Sequence, residues 1–314
     1  MPTDDAPNQT GSDAFSPFLG TVAYPPPSTV VEVEFGAETR RGATRTMNED
    51  HYLIIRLGRS QETIKTSLSE AVITTAFQEH GYAMAVADGV GGSGAGEYAS
   101  RLALATLLYL VRAFGKWNLR VDDSIAREIV ERVERFYRHV DGTMLKQSEL
   151  GRIKDLQTTL TATFSAGRDL FFAHVGHSRA YLFRDGHLLR LTRDHTVGRR
   201  GPSRRPLAPL HEVSGAARDL HHILTDTLGM SGSAGPRIDI ERLQLDDGDI
   251  ALVCSNGLTD ALDEDAIADV LASSRPAQAK CGSLVELAAL ANGNDDATAL
   301  LAQYRIPRDG DRVP

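Results

Sequence analysis

The chain has 314 residues, a net charge of −8 and a pI near 5.7. That acidity argues against a nucleic-acid or membrane-surface binder, and it means that an anionic substrate needs a local cation or an arginine. Hydrophobic residues make up 41% and charged residues 24%, the balance of a globular chain long enough for a large buried core.

Residues 1–28 are rich in Pro, Asp, Ser and Gly and end in "PPPS", which reads as a disordered tail. Its acidic start lacks the basic and apolar parts of a signal peptide. No apolar run approaches the roughly 18 residues that span a bilayer. The two cysteines, Cys254 and Cys281, form neither a metal-type pair nor a disulfide framework. Together these features predict a reducing, cytoplasmic setting and no membrane partner. One folded domain is expected over 29–306, followed by a short tail at 307–314.

Strand-like runs are short and frequent: "VVEVEF", "HYLIIRL", "EAVITTAF", "YAMAVAD", "TTLTATFSA", "LFFAHVG", "SRAYLFRDG", "HLLRLT", "IDIERLQL", "DIALVCS" and "ATALLAQY". "TFSAGRDLFF" and "LFRDGHLLRL" each place a glycine turn between apolar runs and predict β-hairpins. Helical spacing appears in "GEYASRLALATLLYLVRAF" and in "DDSIAREIVERVERFYRHVDGTML", which begins at an acidic cap. "TDALDEDAIADVLAS" and "SLVELAALANG" supply two more helices near the end. Helices and strands do not alternate strictly, so antiparallel sheets covered by helices are expected, an α+β fold. The segment 197–219 is basic, Gly/Pro-containing and non-periodic, and reads as a flap or a solvated loop.

Several acidic positions share one local pattern, bordering an apolar strand beside glycine or another polar turn residue. Glu49 and Asp50 precede a strand in "RTMNEDHYLII", Asp88 ends one in "AMAVADGVGG", and Asp295 and Asp296 precede the last in "ANGNDDATALL". Asn256 takes the same kind of strand end in "IALVCSNGLTD". Converging carboxylates repel unless a divalent cation lies among them, and oxygen-only ligands select Mg²⁺ or Mn²⁺. The glycines after Asp88 also suit a phosphate cradle, but the segment lacks the lysine and serine of a P-loop.

The blocks "RTMNED", "ADGVGG", "TTLTATF", "HVGHSRAYLFRDG", "LTRDHT", "LTDTLG", "LVCSNGLTD" and "GNDDAT" run in that order from Arg45 to Thr298, within a stretch of roughly residues 33 to 305. In this the chain resembles the type 2C metal-dependent serine/threonine protein phosphatases of bacterial type. The resemblance implies a four-layer αββα sandwich, two mostly antiparallel β-sheets flanked by helices, with a two-metal site in a cleft at one edge. It implies that Asp88 bridges both ions, that Gly89 lends a backbone carbonyl, and that Asp295 and the Asn256 position ligate. Glu49 and Asp50 match the acidic pair near the second ion; which of them ligates directly stays open. Arg45 stands at the position of the family's phosphate-binding arginine, and a guanidinium fork suits a phosphate dianion. The implied activity is hydrolysis of phosphoserine and phosphothreonine on proteins, the substrates of a serine/threonine kinase, by a water that two Mn²⁺ or Mg²⁺ ions activate.

Three positions depart from the family pattern. Asn256 replaces a ligating aspartate, which removes one negative charge. His177 in "VGHSR" replaces the aspartate of a third metal position, and an imidazole favours Mn²⁺ or Zn²⁺ over Mg²⁺. Val90 stands where some members carry a histidine that protonates the leaving group; His195 is a replacement by residue type, with a structural role the plainer reading. These departures support an alternative, a pseudophosphatase that binds a phosphoprotein without turnover. A phosphatase acting on anti-sigma-type regulators is a third reading.

Overall fold

The computed structural model describes residues 31–68, 76–91, 94–116, 119–151, 153–197, 223–230, 232 and 235–306. The predicted tails and nearly all of the basic flap lie outside these. The described chain runs through β1 (Glu32–Arg40), β2 (Asp50–Glu62), β3 (Ala76–Val90), α1 (Ala95–Phe114), α2 (Asp123–Glu149), β4 (Gln157–Thr158), β5 (Leu160–Ala166), β6 (Asp169–Val175), β7 (Arg179–Arg184) and β8 (His187–Arg190). It continues through β9 (Asp239–Gln244), β10 (Ile250–Cys254), α3 (Asn256–Thr259), α4 (Glu264–Ala272), α5 (Ala277–Asn292) and β11 (Ala297–Arg305).

One sheet has the order β1-β11-β10-β7-β8 and the other β2-β3-β5-β6-β9, with β4 pairing β3. Every pairing is antiparallel. The two-residue side-chain period of a strand divides each one between two cores. On β10, Ala251 and Val253 face the core between the sheets, while Ile250, Leu252 and Cys254 face α4 and α5. On β3, Met84 and Val86 face the other sheet, while Ala85 and Ala87 face α1 and α2. Three stacked cores therefore hold four layers in the order helix, sheet, sheet, helix, as the resemblance implies. Burial on both faces explains why these strands read as nearly continuous apolar runs.

Local chemistry sets the connections. Asp185 and Gly186 both have positive φ, 49° and 81°, so the β7–β8 hairpin closes on a turn twisted like its strands. The Asp122 carboxylate caps α2 by accepting the Ile125 N–H at 2.8 Å, and Asp263 does the same for Ala266 at α4. Three boundaries differ from the sequence reading. "TDALDEDAIADVLAS" is not one helix, because Asp263 caps a fresh start after the short α3. The last helix begins at Ala277, six residues and nearly two turns before "SLVELAALANG". The run "YAMAVAD" belongs to a strand described from Ala76 onward, longer than its apolar stretch because β2 pairs along it as far as Ala76. Among the described residues no helix is long and apolar enough to cross a membrane.

Candidate metal centre

Antiparallel pairing of β2 with β3 sets Asp50 directly opposite Asp88. Opposed residues of such a pair have Cβ atoms about 5 Å apart, and like charges there are destabilising. Asp50 is buried and locked in place. Its Oδ2 accepts the hydroxyls of Ser255 and Thr298, each at 2.7 Å, and its backbone N–H donates to Asn48 Oδ1 at 3.0 Å. The second oxygen, Oδ1, is buried with no hydrogen-bond partner. Burial pushes the Asp50 carboxyl up to about 7 against those two hydroxyls, with Asp296 and Asp295 adding to the rise. Burial also raises Asp88 well above the carboxylate range, reinforced by Asp50 and Asp295.

The glycines after Asp88 have a packing reason. A Cβ on Gly89 would lie 2.0 Å from the carbonyl oxygen of Gly96 in α1, and a Cβ on Gly96 would lie 2.8 Å from the Glu49 carboxyl carbon. Only bare backbone lets the start of α1 approach the end of β3 this closely. Gly89 N–H also donates to the Glu49 carbonyl at 3.1 Å, and Ser100 of α1 donates to the same carbonyl at 2.6 Å. The Asp88 carbonyl accepts from Thr159 N–H at 2.9 Å and Thr158 Oγ1 at 2.8 Å. The backbone around the acidic pair is thus tied on every side.

Arg45 lies between two of the predicted acids. Its Nη1 donates to Glu49 at 3.3 Å, and its Nε and Nη2 donate to Asp295 Oδ1 at 2.9 and 2.5 Å. Burial alone would lower the guanidinium, but Asp295, Asp296 and Glu49 outweigh it and hold it above its usual value. Burial raises Glu49 despite Arg45. His177, on the turn between β6 and β7, brings Nδ1 to 3.7 Å from Asp88 Oδ2. Asn256 opens α3 and is buried; its Nδ2 donates to Asp260 at 3.2 Å.

The fold therefore brings Arg45, Glu49, Asp50, Asp88, Gly89, Asp295 and His177 to one end of the sandwich, while the amide of Asn256 turns to Asp260. Among the described residues no group of three or more His, Cys, Asp or Glu side chains is arranged to hold a metal ion as it stands. The donor set nevertheless fits a hard divalent cation. It is all carboxylate and carbonyl oxygen apart from His177, one buried carboxylate oxygen lacks a partner, and the mutual repulsion falls when a cation enters.

Three supporting residues have roles that the sequence reading did not assign. Asp296 is buried, and its two oxygens accept the backbone N–H groups of Gly42 at 2.8 Å and Glu49 at 2.7 Å. It clamps the loop that carries Arg45. Ser255 and Ser100 are the others; Ser255 follows the apolar run "IALVC" and Ser100 falls on the buried face of α1 with Ala99, Ala103 and Leu104, the signals by which they could have been found. His195 is structural. Its Nδ1 accepts the Gly176 N–H at 3.3 Å, which leaves Nε2–H to face Asp239 at 3.1 Å. It thereby fixes the turn bearing His177. Burial pushes the Cys254 and Cys281 thiols up to about 12, so neither is a nucleophile.

The family profile described as protein phosphatase 2C matches residues 70–290. Serine/threonine protein phosphatase PstP of Mycobacterium tuberculosis is 30% identical over 220 residues, 70% of this chain. The match spans about 40% of that relative's length. Serine/threonine phosphatase stp of Listeria welshimeri is 29% identical over 237 residues, covering 72% of this chain and 85% of the relative. Among solved structures, the catalytic domain of PstP in complex with two manganese ions superposes with a TM-score of 0.63 at 25% identity, covering 88% of this chain and 99% of that one.

Proposed function

The chain belongs to the protein phosphatase 2C family, and from that membership we propose that it hydrolyses phosphoserine and phosphothreonine on proteins in a metal-dependent reaction. The observation that carries the reading is the opposition of Asp50 and Asp88, two largely buried carboxylates whose neighbours Asp295 and Asp296 add further negative charge. Asp88, Gly89, Asp295, Glu49, Asp50 and Asn256 would hold two ions of Mn²⁺ or Mg²⁺, with His177 beside Asp88 at a third position. Bound there, the ions would supply Lewis acidity toward the phosphoryl oxygens and the attacking water. The chain's own groups do the rest. Ser255 and Thr298 hold Asp50 in one orientation, and the Gly89 N–H ties the backbone after Asp88 to the Glu49 carbonyl. The Arg45 fork exchanges Glu49 and Asp295 for the oxygens of the phosphate dianion, as a bidentate charge-assisted contact. Positioning and charge neutralisation provide most of the rate in such a transfer. Val90 has no proton to give, so the leaving oxygen is protonated from another source. Substrates would be phosphoproteins made by a serine/threonine kinase.

A second reading has its own observation. The Asn256 amide is engaged with Asp260, and it brings no negative charge to the centre. A pseudophosphatase would bind phosphoproteins through Arg45 without turnover. One experiment separates the two: phosphate release from a phosphothreonine peptide in Mn²⁺, Mg²⁺ or EDTA, with Asp88→Ala as background. Metal-dependent release that vanishes in the variant supports the phosphatase. Release equal to the variant's, in folded protein that still retains the peptide, supports the pseudophosphatase.

A further inference from the structure

The second sheet and its helices enclose a cavity that the proposed chemistry does not use. It lies between α1, α2 and the outer face of the sheet and has a volume of about 120 Å³. On the sheet side the small side chains Ala83 of β3, Ala162 of β5 and Ala173 of β6 lie beside Phe164 of β5 and Phe171 of β6, under a roof that includes Leu107, Val133 and Phe136. Larger floor residues would close such a space, and protein interiors ordinarily leave few voids of this size. The nearby Tyr137 hydroxyl is already satisfied, donating to the Ala173 carbonyl at 3.0 Å. The interior is therefore apolar.

The rim is charged. Lys116 Nζ and Arg132 Nη2 both donate to the same oxygen of Glu128, at 2.6 and 3.0 Å. Two cations share one carboxylate, which leaves one positive charge in excess at the mouth. Arg132 is only 12% exposed on its side chain, so a charge-assisted bond to it forms in a partly dehydrated setting and is stronger for that. An apolar cavity of about 150 Å³ takes up benzene. The space here suits one aromatic ring or a short alkyl chain and is too small for a long-chain lipid.

We propose that this cavity is a binding site for a small aromatic or short-chain alkyl carboxylate. The apolar body lies between helices and sheet, and the carboxylate meets Arg132 and Lys116. The site is separate from the acidic centre: Ala83 precedes Asp88 by five positions on β3, about 17 Å of strand.

The test is a titration of the full chain with phenylacetate, with benzyl alcohol as the uncharged control. Binding is read by calorimetry. Phenylacetate is expected to bind saturably and more tightly than benzyl alcohol. Ala162→Leu, which fills the floor, is expected to abolish binding of both without lowering the melting temperature. Leu107→Phe fills the same space from the helix side if the first variant does not fold. Arg132→Met is expected to weaken phenylacetate about tenfold and leave benzyl alcohol unchanged. Excess inorganic phosphate should not compete. Absence of saturable binding, binding that survives both cavity-filling variants, equal affinity for phenylacetate in Arg132→Met, or competition by phosphate overturns the proposal.

Discussion

Replacing Asp296 tests whether the acidic end of the sandwich is held by a backbone clamp or by the ions it would bind. In the structure its two oxygens accept two N–H groups, those of Gly42 and Glu49, at 2.8 and 2.7 Å. All three residues are buried, so water does not replace the lost acceptors. Asp296→Ala strands both donors. Each unsatisfied buried group costs about 1–3 kcal/mol, so the loss is about 4 kcal/mol. For a chain of this size that corresponds to a melting temperature lower by roughly 6–7 °C. Asp296→Asn keeps one acceptor oxygen and should lose about half as much. The assay is thermal unfolding of the parent and both variants in EDTA, repeated with Mn²⁺, alongside Mn²⁺ calorimetry. The clamp reading requires the order parent, Asn, Ala in EDTA, with Mn²⁺ binding retained in the Asn variant. It is refuted if the Ala variant melts with the parent in EDTA, or if the Asn variant keeps full stability and loses Mn²⁺.

Three other outcomes follow from the same geometry. Asn256→Asp replaces the amide donor to Asp260 with a like charge, so the metal-free protein should melt lower, by about 1 kcal/mol because Asp260 is exposed; in calorimetry and phosphate release the variant should bind Mn²⁺ at least about tenfold tighter and turn over faster. Gly89→Ala drives a methyl group to 2.0 Å from the Gly96 carbonyl, and calorimetry and melting should show lost ion binding with destabilisation of about 3 kcal/mol or more. His174 is buried, and burial first and then His195 lower its pKa from 6.5 to about 3. Its stabilising effect is complete above pH 6.5 and is lost as pH falls through about 3, for a total near 5 kcal/mol. Asp239, held near 2 by His195 and Arg237 against its own burial, loses its stabilising effect only at still lower pH. The raised carboxyls of Asp50 and Asp88 act in the opposite sense over the same range, so the measurement is the difference between two chains: in urea unfolding between pH 7 and 4 the parent should lose stability relative to His174→Gln as pH falls.

The strand and helix periods, the two glycine hairpins, the acidic cap of α2 and the eight ordered blocks were legible because each is a local pattern. Periodicity states which face of an element is apolar, and Asp185-Gly186 states a turn by its own backbone preference. The acids at strand ends could be found as a set, and the resemblance named their roles. What the chain order could not state was who stands opposite whom. The pairing of Asp50 with Asp88 depends on the register of two strands, and the tie from Ser255 and Thr298 to Asp50 joins residues more than two hundred positions apart. Asp296 looks in the sequence like a second acid beside Asp295; packing alone turns one toward Arg45 and the other toward two buried N–H groups. His195 has the residue type of a proton donor, yet its ring is used by Gly176 and Asp239. The small residues Ala83, Ala162 and Ala173 are unremarkable singly and leave a cavity only when three strands gather them on one face beneath two helices. Residue type and spacing fix which chemistry is available, whereas hydrogen-bond partners and burial decide which groups are free to use it.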